Sequence, residues 1–591
     1  MYRQAWRIGD HDRYYGVIFQ VPGRSAVLAA ISRRSVDLLL PRVKRAGGPA
    51  ERWARSAVRW HLTSRYDTSE LRLVPGLHGP VLARPLAEAT PLQARRLNLE
   101  TVLTVLRDAG VDHFCVRGYD DKASVVAIGS GGRKQAWAAL RREALRRPLF
   151  VAAVTEQGVQ KPMPATSHHA WRTLHGQRVI RLIQYVCDPS GNLLLGEAHG
   201  CDLEVWSRTP QGPLHAPRPN RVADRVAATG PARTLDESAF TRMTSAYVPG
   251  QPQRPTRAEF AGTLLDDITF PVDVVYTWVD DSDPAWQARR DAALASADRP
   301  MTAQAAGVSR FANHDELRYS MRSLHLYAPW VRRIWLVTDD QVPSWLDVGH
   351  DRVRVVSHKE LFGDHGRLPT FNSHAIESRL HHLDGLSEQF VYFNDDVFVG
   401  RPVNTLKFFQ PNGLSKLFPS RGKVDPGPAD AADLAPTVAG KNNRALIARD
   451  FGRHLTYKMK HVPHALRRDV LAEMSDRYAE ELERTAGNRF RDPTDVSLVS
   501  SAYHYYALAT GRAAIDRIAS TYVSLAAPDT KRQLARLLAA RSHDVFCVND
   551  EDGTPEQRQS RHELLRDFLT AYYPVAAPWE LTAPNGARQD G

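Results

Sequence analysis

The stretch Gln389-Phe390-Val391-Tyr392-Phe393-Asn394-Asp395-Asp396-Val397-Phe398 constrains the fold more than any other. A short apolar run of this kind reads as a buried strand. It breaks into Asn394-Asp395-Asp396 before apolar residues resume. Adjacent carboxylates at a buried strand end repel each other and lose hydration. A bound divalent cation relieves this, and oxygen ligands suit Mg²⁺, Mn²⁺ or Ca²⁺. Ligands of open α/β sheets sit at the carboxyl ends of the strands. A solvated surface turn would read the same way in isolation, so the rest of the chain decides.

The same grammar recurs. Residues 271–284 are a β-rich run that reaches Asp280, Asp281 and Asp283, and 333–340 ends in Asp339-Asp340. A fourth strand is expected over 351–358. Between them, 315–327 carries Leu317, Met321, Leu324 and Ala328 at helical spacing, with Asn313 or Asp315 placed to cap it. Arg318 and Arg322 lie one turn apart off that stripe, placed either to bind phosphate or to pair with Asp315 and Glu316. Pro369-Thr370-Phe371-Asn372-Ser373 leads into a helix whose core face is Ile376, Leu380 and Leu383. His374, Glu377 and His381 share a second face of that helix. Strands alternating with helices imply a mostly parallel, doubly wound sheet. Several acidic strand ends would then gather along one edge, which favours a metal–diphosphate site over solvated turns.

Further on, 415–436 is polar and rich in Pro and Gly, expected as a mobile loop near the site. A helix opens at Lys441, and His461-Val462-Pro463-His464 follows. Residues 470–484 form one amphipathic helix, Arg489-Phe490-Arg491-Asp492 precedes a helix over 496–510, and 543–550 is a strand that again ends in Asn549-Asp550. The tail from Ala576 is expected to fray.

The first 250 residues read differently. Strands such as Tyr15-Gly16-Val17-Ile18-Phe19 and an Arg-dotted segment over 33–65 come first. Then follow a helix over 97–109, strands over 111–116 and 123–128, and a helix opened by Gly129-Ser130-Gly131-Gly132. That Gly-rich turn has neither Walker nor GxGxxG spacing and reads as a strand-to-helix turn. A hairpin is expected across 188–192, with a further strand over 201–206. Residues 209–259 have little periodicity and much Pro and Arg, the composition of a connector. The expected organisation is an N-terminal α/β module over 1–208, a linker over 209–268, a catalytic domain with a helical C-terminal part over 269–555, and a helix and tail over 556–591.

The net charge of +12 is uneven: residues 1–250 hold 36 Lys+Arg against 21 Asp+Glu, so the rest is slightly acidic. Such asymmetry raises a polyanion or a membrane surface as partner. No aromatic-interleaved basic motif accompanies it, so nucleic acid is not expected. No run of about 18 apolar residues and no apolar leader are visible. The four scattered cysteines have no zinc-like spacing and read as reduced thiols. A cytoplasmic protein follows, with a peripheral position at the membrane's cytoplasmic face left open.

Four blocks of the chain resemble the Stealth phosphotransferases: bacterial capsule and exopolysaccharide hexose-1-phosphate transferases and the eukaryotic N-acetylglucosamine-1-phosphotransferase α/β precursor. The blocks are Asp273-Val274-Val275-Tyr276-Thr277-Trp278-Val279-Asp280, Asp315-Glu316-Leu317-Arg318-Tyr319-Ser320 through Asn394-Asp395-Asp396, a looser stretch over 441–506, and Cys547-Val548-Asn549-Asp550. Asn313 departs from the family, which often has Asp there. The resemblance implies transfer of a sugar-1-phosphate from a nucleoside-diphosphate sugar to a hydroxyl of a glycan acceptor, with release of nucleoside monophosphate. It implies a divalent cation, Mg²⁺ or Mn²⁺ first and Ca²⁺ second, at Asp395 and Asp396. It places Glu377, His461 and Arg491 at positions required for activity. His461 suits a general base by its ordinary pKa near 6.5, although Glu377 could take that part or orient it. Arg491 would clamp a phosphate. Asp273, Thr277, Asp280, Arg318, Arg322, Asn372 and Asn394 are the expected substrate contacts. Two other readings remain: a glycosyltransferase releasing nucleoside diphosphate, and a polyanion-binding protein acting through the basic N-terminal half.

Overall fold

The computed structural model describes Tyr66 and residues 69–208, 212–296, 313–430, 433–550 and 553–581. The expected strand at 15–19, the Arg-dotted segment over 33–65 and the last ten residues lie outside these.

The C-terminal half is built on β1 (Val272–Trp278), α1 (Glu316–Tyr327), β2 (Ile334–Thr338), β3 (Val353–Ser357), α2 (Ser373–Glu377), β4 (Gln389–Phe393), β5 (Val397–Val399), α3 (Ala435–Phe451), β6 (His464–Arg467), β7 (Ser520–Ser524), β8 (Val545–Asn549) and α4 (Pro555–Tyr572). The main sheet runs β3-β2-β1-β4-β6. Its first four strands are parallel and β6 is antiparallel. The mostly parallel sheet read from the alternation of elements is therefore present.

Parallel strands covered on both faces need apolar residues in both phases of the pleat. β2 and β4 are buried along their whole length. Val274, Tyr276, Leu336, Val391 and Phe393 join the core cluster on the α1 face. Val275, Trp335, Val337, Phe390 and Tyr392 join the cluster on the other face. The strand order reverses between β1 and β4, which pair directly from Val272↔Gln389 to Tyr276↔Phe393. That reversal opens a crevice beyond the carboxyl ends of these two strands.

A small sheet, β5-β8-β7, completes the site's surroundings. β5 continues from the acidic turn and pairs antiparallel with β8, Val397 opposite Cys547. The amide of Val548 donates to the Asp396 carbonyl at 3.1 Å. The fourth block of sequence is thereby fixed beside the second.

Several expected boundaries change. The helix after Asn372 stops at Glu377, and a single 3-10 turn over Leu380–His382 follows. His381 therefore leaves the face it would share with His374 and Glu377, and its ring is buried with neither nitrogen bonded. The segment 470–484 is two helices, Arg468–Arg477 and Ala479–Gly487. The loop after Ser415 contains two short strands, Ser415–Leu417 and Pro419–Lys423. The tail does not fray at Ala576: Ala577 and Trp579 are buried in the main core.

The linker is also ordered. Leu214–His215 extends the sheet of the N-terminal module by pairing with Cys201–Arg208, and Ala232–Asp236 pairs with Gln253–Arg257. Several of its charged side chains are held in ion pairs with the module. Glu237 is fully buried and meets Arg95, Arg96 and Arg254, while Arg117 and Arg221 both hold Asp267. Nor does the module stand apart from the C-terminal half. Ala89, Ala94, Val186, Leu193 and Leu195 share one apolar cluster with β1 and α1, and Asn404 donates to Asp121 at 2.7 Å.

Candidate active site at the switch point of the parallel sheet

The crevice between the ends of β1 and β4 is a cavity of about 430 Å³. Thr277, Tyr392, Asn394, Asp395 and Asp396 form its floor, with His461, Glu377, Arg491 and Asn549 around them. Of the expected site residues, the fold thus gathers Thr277, Asn394, Asp395, Asp396, Glu377, His461 and Arg491 into one cleft.

On one side stand Asp396 and its partners. His461, which follows the short strand Tyr457–Met459, places Nε2 3.2 Å from Asp396 Oδ1. The Cys547 thiol donates to Asp396 Oδ2 at 3.2 Å, and Asn549 Nδ2 donates to the same oxygen at 3.4 Å. Asn394 Nδ2 lies 3.4 Å from His461 Nε2. Burial alone would raise the Asp396 pKa, but His461 and these hydrogen bonds outweigh it and hold the group below the usual carboxylate value. Asp395 is different. Burial, and then the charge of Asp396 beside it, push its pKa up to about 7. Burial opposes protonation of His461, yet the charges of Asp396, Asp395 and Glu377 leave its pKa raised.

The opposite side is held by α2 and the loop over 488–497. Asn372 caps α2, its Oδ1 accepting from the His374 amide at 3.1 Å. Its Nδ2 reaches Asp495 at 2.8 Å and the Phe490 carbonyl at 3.3 Å. Asn372 is fully buried and does not line the cleft; it ties α2 to the loop that carries Arg491. Arg491 Nη2 donates to Ser373 Oγ at 3.0 Å, while its buried Nε has no partner. Glu377 is buried beneath, its Oε2 accepting from Ser500 at 3.2 Å. Burial raises the Glu377 pKa, partly offset by His374 and Arg491. Trp286, Phe371 and Phe490 supply an apolar wall, Trp286 edge-on to Phe371 and Phe371 stacked on Phe490.

Besides Asn372, four expected contacts lie outside the cleft. Asp273 is at the opposite end of β1, fully buried and paired with Arg332 at 2.5 Å. Arg318 and Arg322 both turn to Glu580, at 2.7 and 2.6 Å, and so dock the C-terminal tail onto α1. Asp280 sits just outside the cleft and caps its own turn, accepting from Ser282. The reading of residues also passed over Asn549, Ser500 and Trp286 as site residues. Only Asn549 had a visible signal, the acid-ended strand that carries it.

Asp396, His461 and Cys547 bring a carboxylate oxygen, an imidazole nitrogen and a sulfur within 4.8 Å of one another, a grouping able to hold a metal ion. The residues present therefore fit a divalent cation at Asp396. With an acid-lined floor and a guanidinium across a cleft at a switch point, the domain is an α/β domain whose cleft suits an anionic ligand with a bound cation.

Comparison with known proteins names the family. The chain matches conserved region 1 of the Stealth proteins over residues 270–298, region 2 over 310–417, region 3 over 460–508 and region 4 over 535–590. It is 44% identical over 508 residues to the exopolysaccharide phosphotransferase SCO6021 of Streptomyces coelicolor, covering 85% of this chain and 93% of that protein. It is 33% identical over 511 residues to the exopolysaccharide phosphotransferase CpsY of Mycobacterium tuberculosis, covering 86% and 92%. The chain belongs to the Stealth family and is an enzyme of the phosphotransferase class. An alignment of 508 residues is longer than the C-terminal half, so the similarity extends into the N-terminal module. Among solved structures, the galactosyltransferase LgtC overlaps 53% of this chain and 98% of its own at 12% identity and a TM-score of 0.27. Among the described residues, no helix is long and apolar enough to cross a membrane.

Proposed function

We propose that the protein transfers a sugar-1-phosphate from a nucleoside-diphosphate sugar to a hydroxyl of a glycan acceptor, forming the phosphodiester links of an exopolysaccharide. The observation that carries this reading is the half-buried Arg491 guanidinium, its buried Nε unbonded, in the same cleft as Asp395 and Asp396. A diphosphate bridges such an arrangement, one end toward the acid pair and the other on the arginine fork. A divalent cation at Asp396 would neutralise charge on the diphosphate and make its phosphorus more electrophilic.

The side chains then divide the work. The acceptor oxygen forms a new bond to the phosphorus that carries the sugar. The bond from that phosphorus to the bridging oxygen breaks, and nucleoside monophosphate leaves. The acceptor's proton goes to a carboxylate oxygen of Glu377, whose raised pKa makes it a better base than an exposed carboxylate. His461 is engaged with Asp396, which favours Glu377 over His461 in this part. Arg491 stabilises the charge that builds on the phosphoryl oxygens. The apolar wall of Trp286 and Phe371 limits water, the competing acceptor.

Incubation with a panel of nucleoside-diphosphate sugars and a glycan acceptor tests this reading through the leaving group. Nucleoside monophosphate is the expected product. Nucleoside diphosphate would identify attack at the anomeric carbon and a glycosyltransferase instead.

A further inference from the structure

The basic excess of the first 250 residues is concentrated. Residues 129–178 hold nine Lys+Arg against two Asp+Glu. Elsewhere in the N-terminal module arginines are drawn onto acids: Arg95 and Arg96 meet Glu237, Arg181 meets Asp202 and Arg117 meets Asp267. Lys134, Arg141, Arg142 and Arg172 differ. Each is exposed, and none has a carboxylate partner among the described residues.

These cations sit on two neighbouring helices, Arg133–Glu143 and His168–Thr173. The helices meet through buried Trp137 and Trp171, whose ring centroids are 6.1 Å apart. On the first helix Ala136, Trp137, Ala139 and Leu140 are buried, which leaves positions 134, 138, 141 and 142 outermost at helical spacing. The turn that follows adds Leu145, 59% exposed, and Arg146. Glu143, the one acid of the first helix, is buried and pairs with Arg147 at 2.6 Å. Arg172 follows Trp171 on the second helix and carries the same charge past the seam. Neither helix has an acid on its exposed side. The result is a cationic face with an exposed leucine at one end.

We propose that this face docks the protein on an anionic lipid bilayer, with Lys134, Arg141, Arg142 and Arg172 over the headgroups and Leu145 reaching the edge of the acyl chains. Each Lys or Arg held near an anionic leaflet strengthens attachment by about fivefold, and a cluster of 4–8 is enough to recruit a protein to it. Leu145 favours lipid over a soluble polyanion. A hydrated polymer gives an exposed leucine nothing, whereas contact with acyl chains removes it from water. Among the described residues no helix is long and apolar enough to cross a membrane, so attachment through this face is peripheral, reversible and screened by salt. It is independent of the chemistry in the cleft.

Co-sedimentation of the full chain with two kinds of vesicle tests the inference: phosphatidylcholine alone, and phosphatidylcholine mixed with phosphatidylglycerol. The expected result is binding to the mixed vesicles that falls as salt is raised, and little binding to the neutral ones. Lys134→Gln, Arg141→Gln and Arg172→Gln combined weaken binding about 10²-fold, at about fivefold for each cation. Leu145→Gln weakens it several-fold at fixed salt and leaves retention on soluble dextran sulfate unchanged. All four positions are exposed, and a thermal melt of each variant confirms that it is folded. Equal binding to the two kinds of vesicle, or binding that neither the triple variant nor Leu145→Gln changes, would overturn the proposal. Retention on dextran sulfate without binding to mixed vesicles would also overturn it and assign the face to a soluble polyanion.

Discussion

Replacing Asp273 with Ala separates a structural role from a substrate-binding one. Asp273 opens the most recognisable block of the sequence, yet its carboxylate is buried at the amino end of β1. It accepts from Arg332 Nε at 2.8 Å, Arg332 Nη2 at 2.5 Å, Trp335 Nε1 at 3.0 Å and the Ser387 amide at 3.0 Å. Asp273→Ala orphans two buried neutral donors, Trp335 Nε1 and the Ser387 amide, at about 1–3 kcal/mol each. Arg332 is 30% exposed and can turn partly to water, which limits its share. The sum is about 3–5 kcal/mol, in the range for breaking a buried pair by removing one partner. At about 2 °C per kcal/mol for a domain of this size, the apparent Tm falls by roughly 6–10 °C. The assay is a thermal melt of the full chain followed by Trp fluorescence, beside kcat and donor KM at a temperature where the variant is folded. The expected pattern is a lowered Tm with KM nearly unchanged. An unchanged Tm with a KM raised tenfold would place Asp273 in the nucleotide pocket and refute the reasoning.

Three further outcomes follow from the same geometry. Arg491→Lys keeps the charge but loses the planar fork, so kcat should fall about 10²-fold or more with the melt unchanged; steady-state kinetics beside a melt checks this. Glu316 is fully buried, and burial, with Asp395 adding to it, lifts its pKa to about 8, above its unfolded value of 4.5. The folded state therefore holds the extra proton between those values. Stability from this group is fully present below pH 4.5 and is lost as pH rises through 8. Glu316→Gln should flatten the decline, melting higher than the parent at pH 8 and about equal to it at pH 5 in chelator-treated protein. Glu580→Gln should loosen the tail from Arg318 and Arg322, seen as faster amide exchange over 573–581 with donor KM unchanged.

Much of the catalytic fold was legible because it is written locally. Apolar runs of strand length alternate with amphipathic helices, and parallel strands buried on both faces carry continuous apolar sequence, so β1, β2 and β4 announce themselves. The acid pair after β4 was legible for the same reason. The error over Asp273 was avoidable from strand geometry. Asp273 and Asp280 are seven residues apart on an extended chain, roughly 23 Å at the usual rise, so they cannot line one small pocket. The error over His381 was not avoidable from spacing, because the shared face presumed a helix that ends at Glu377. The linker failed on composition: Pro and Arg look solvated until the acids that bury the Arg residues are known, and Glu237 meets Arg95 and Arg96 across more than 140 positions of sequence.

By itself the sequence carried the alternation of strands and helices and the acid pair after β4, because periodicity and short motifs are properties of neighbouring positions; Glu377, His461 and Arg491 were named only through the resemblance to the Stealth family. Only the tertiary structure decided which of the motif residues face the cleft and which brace the frame. Asp396 next to His461, Cys547 and Asn549 is a contact between segments 65 to 153 positions apart. Such contacts are set by strand order, by the pairing of β5 with β8 and by where α2 stops, and none of these is encoded in the spacing of any one stretch.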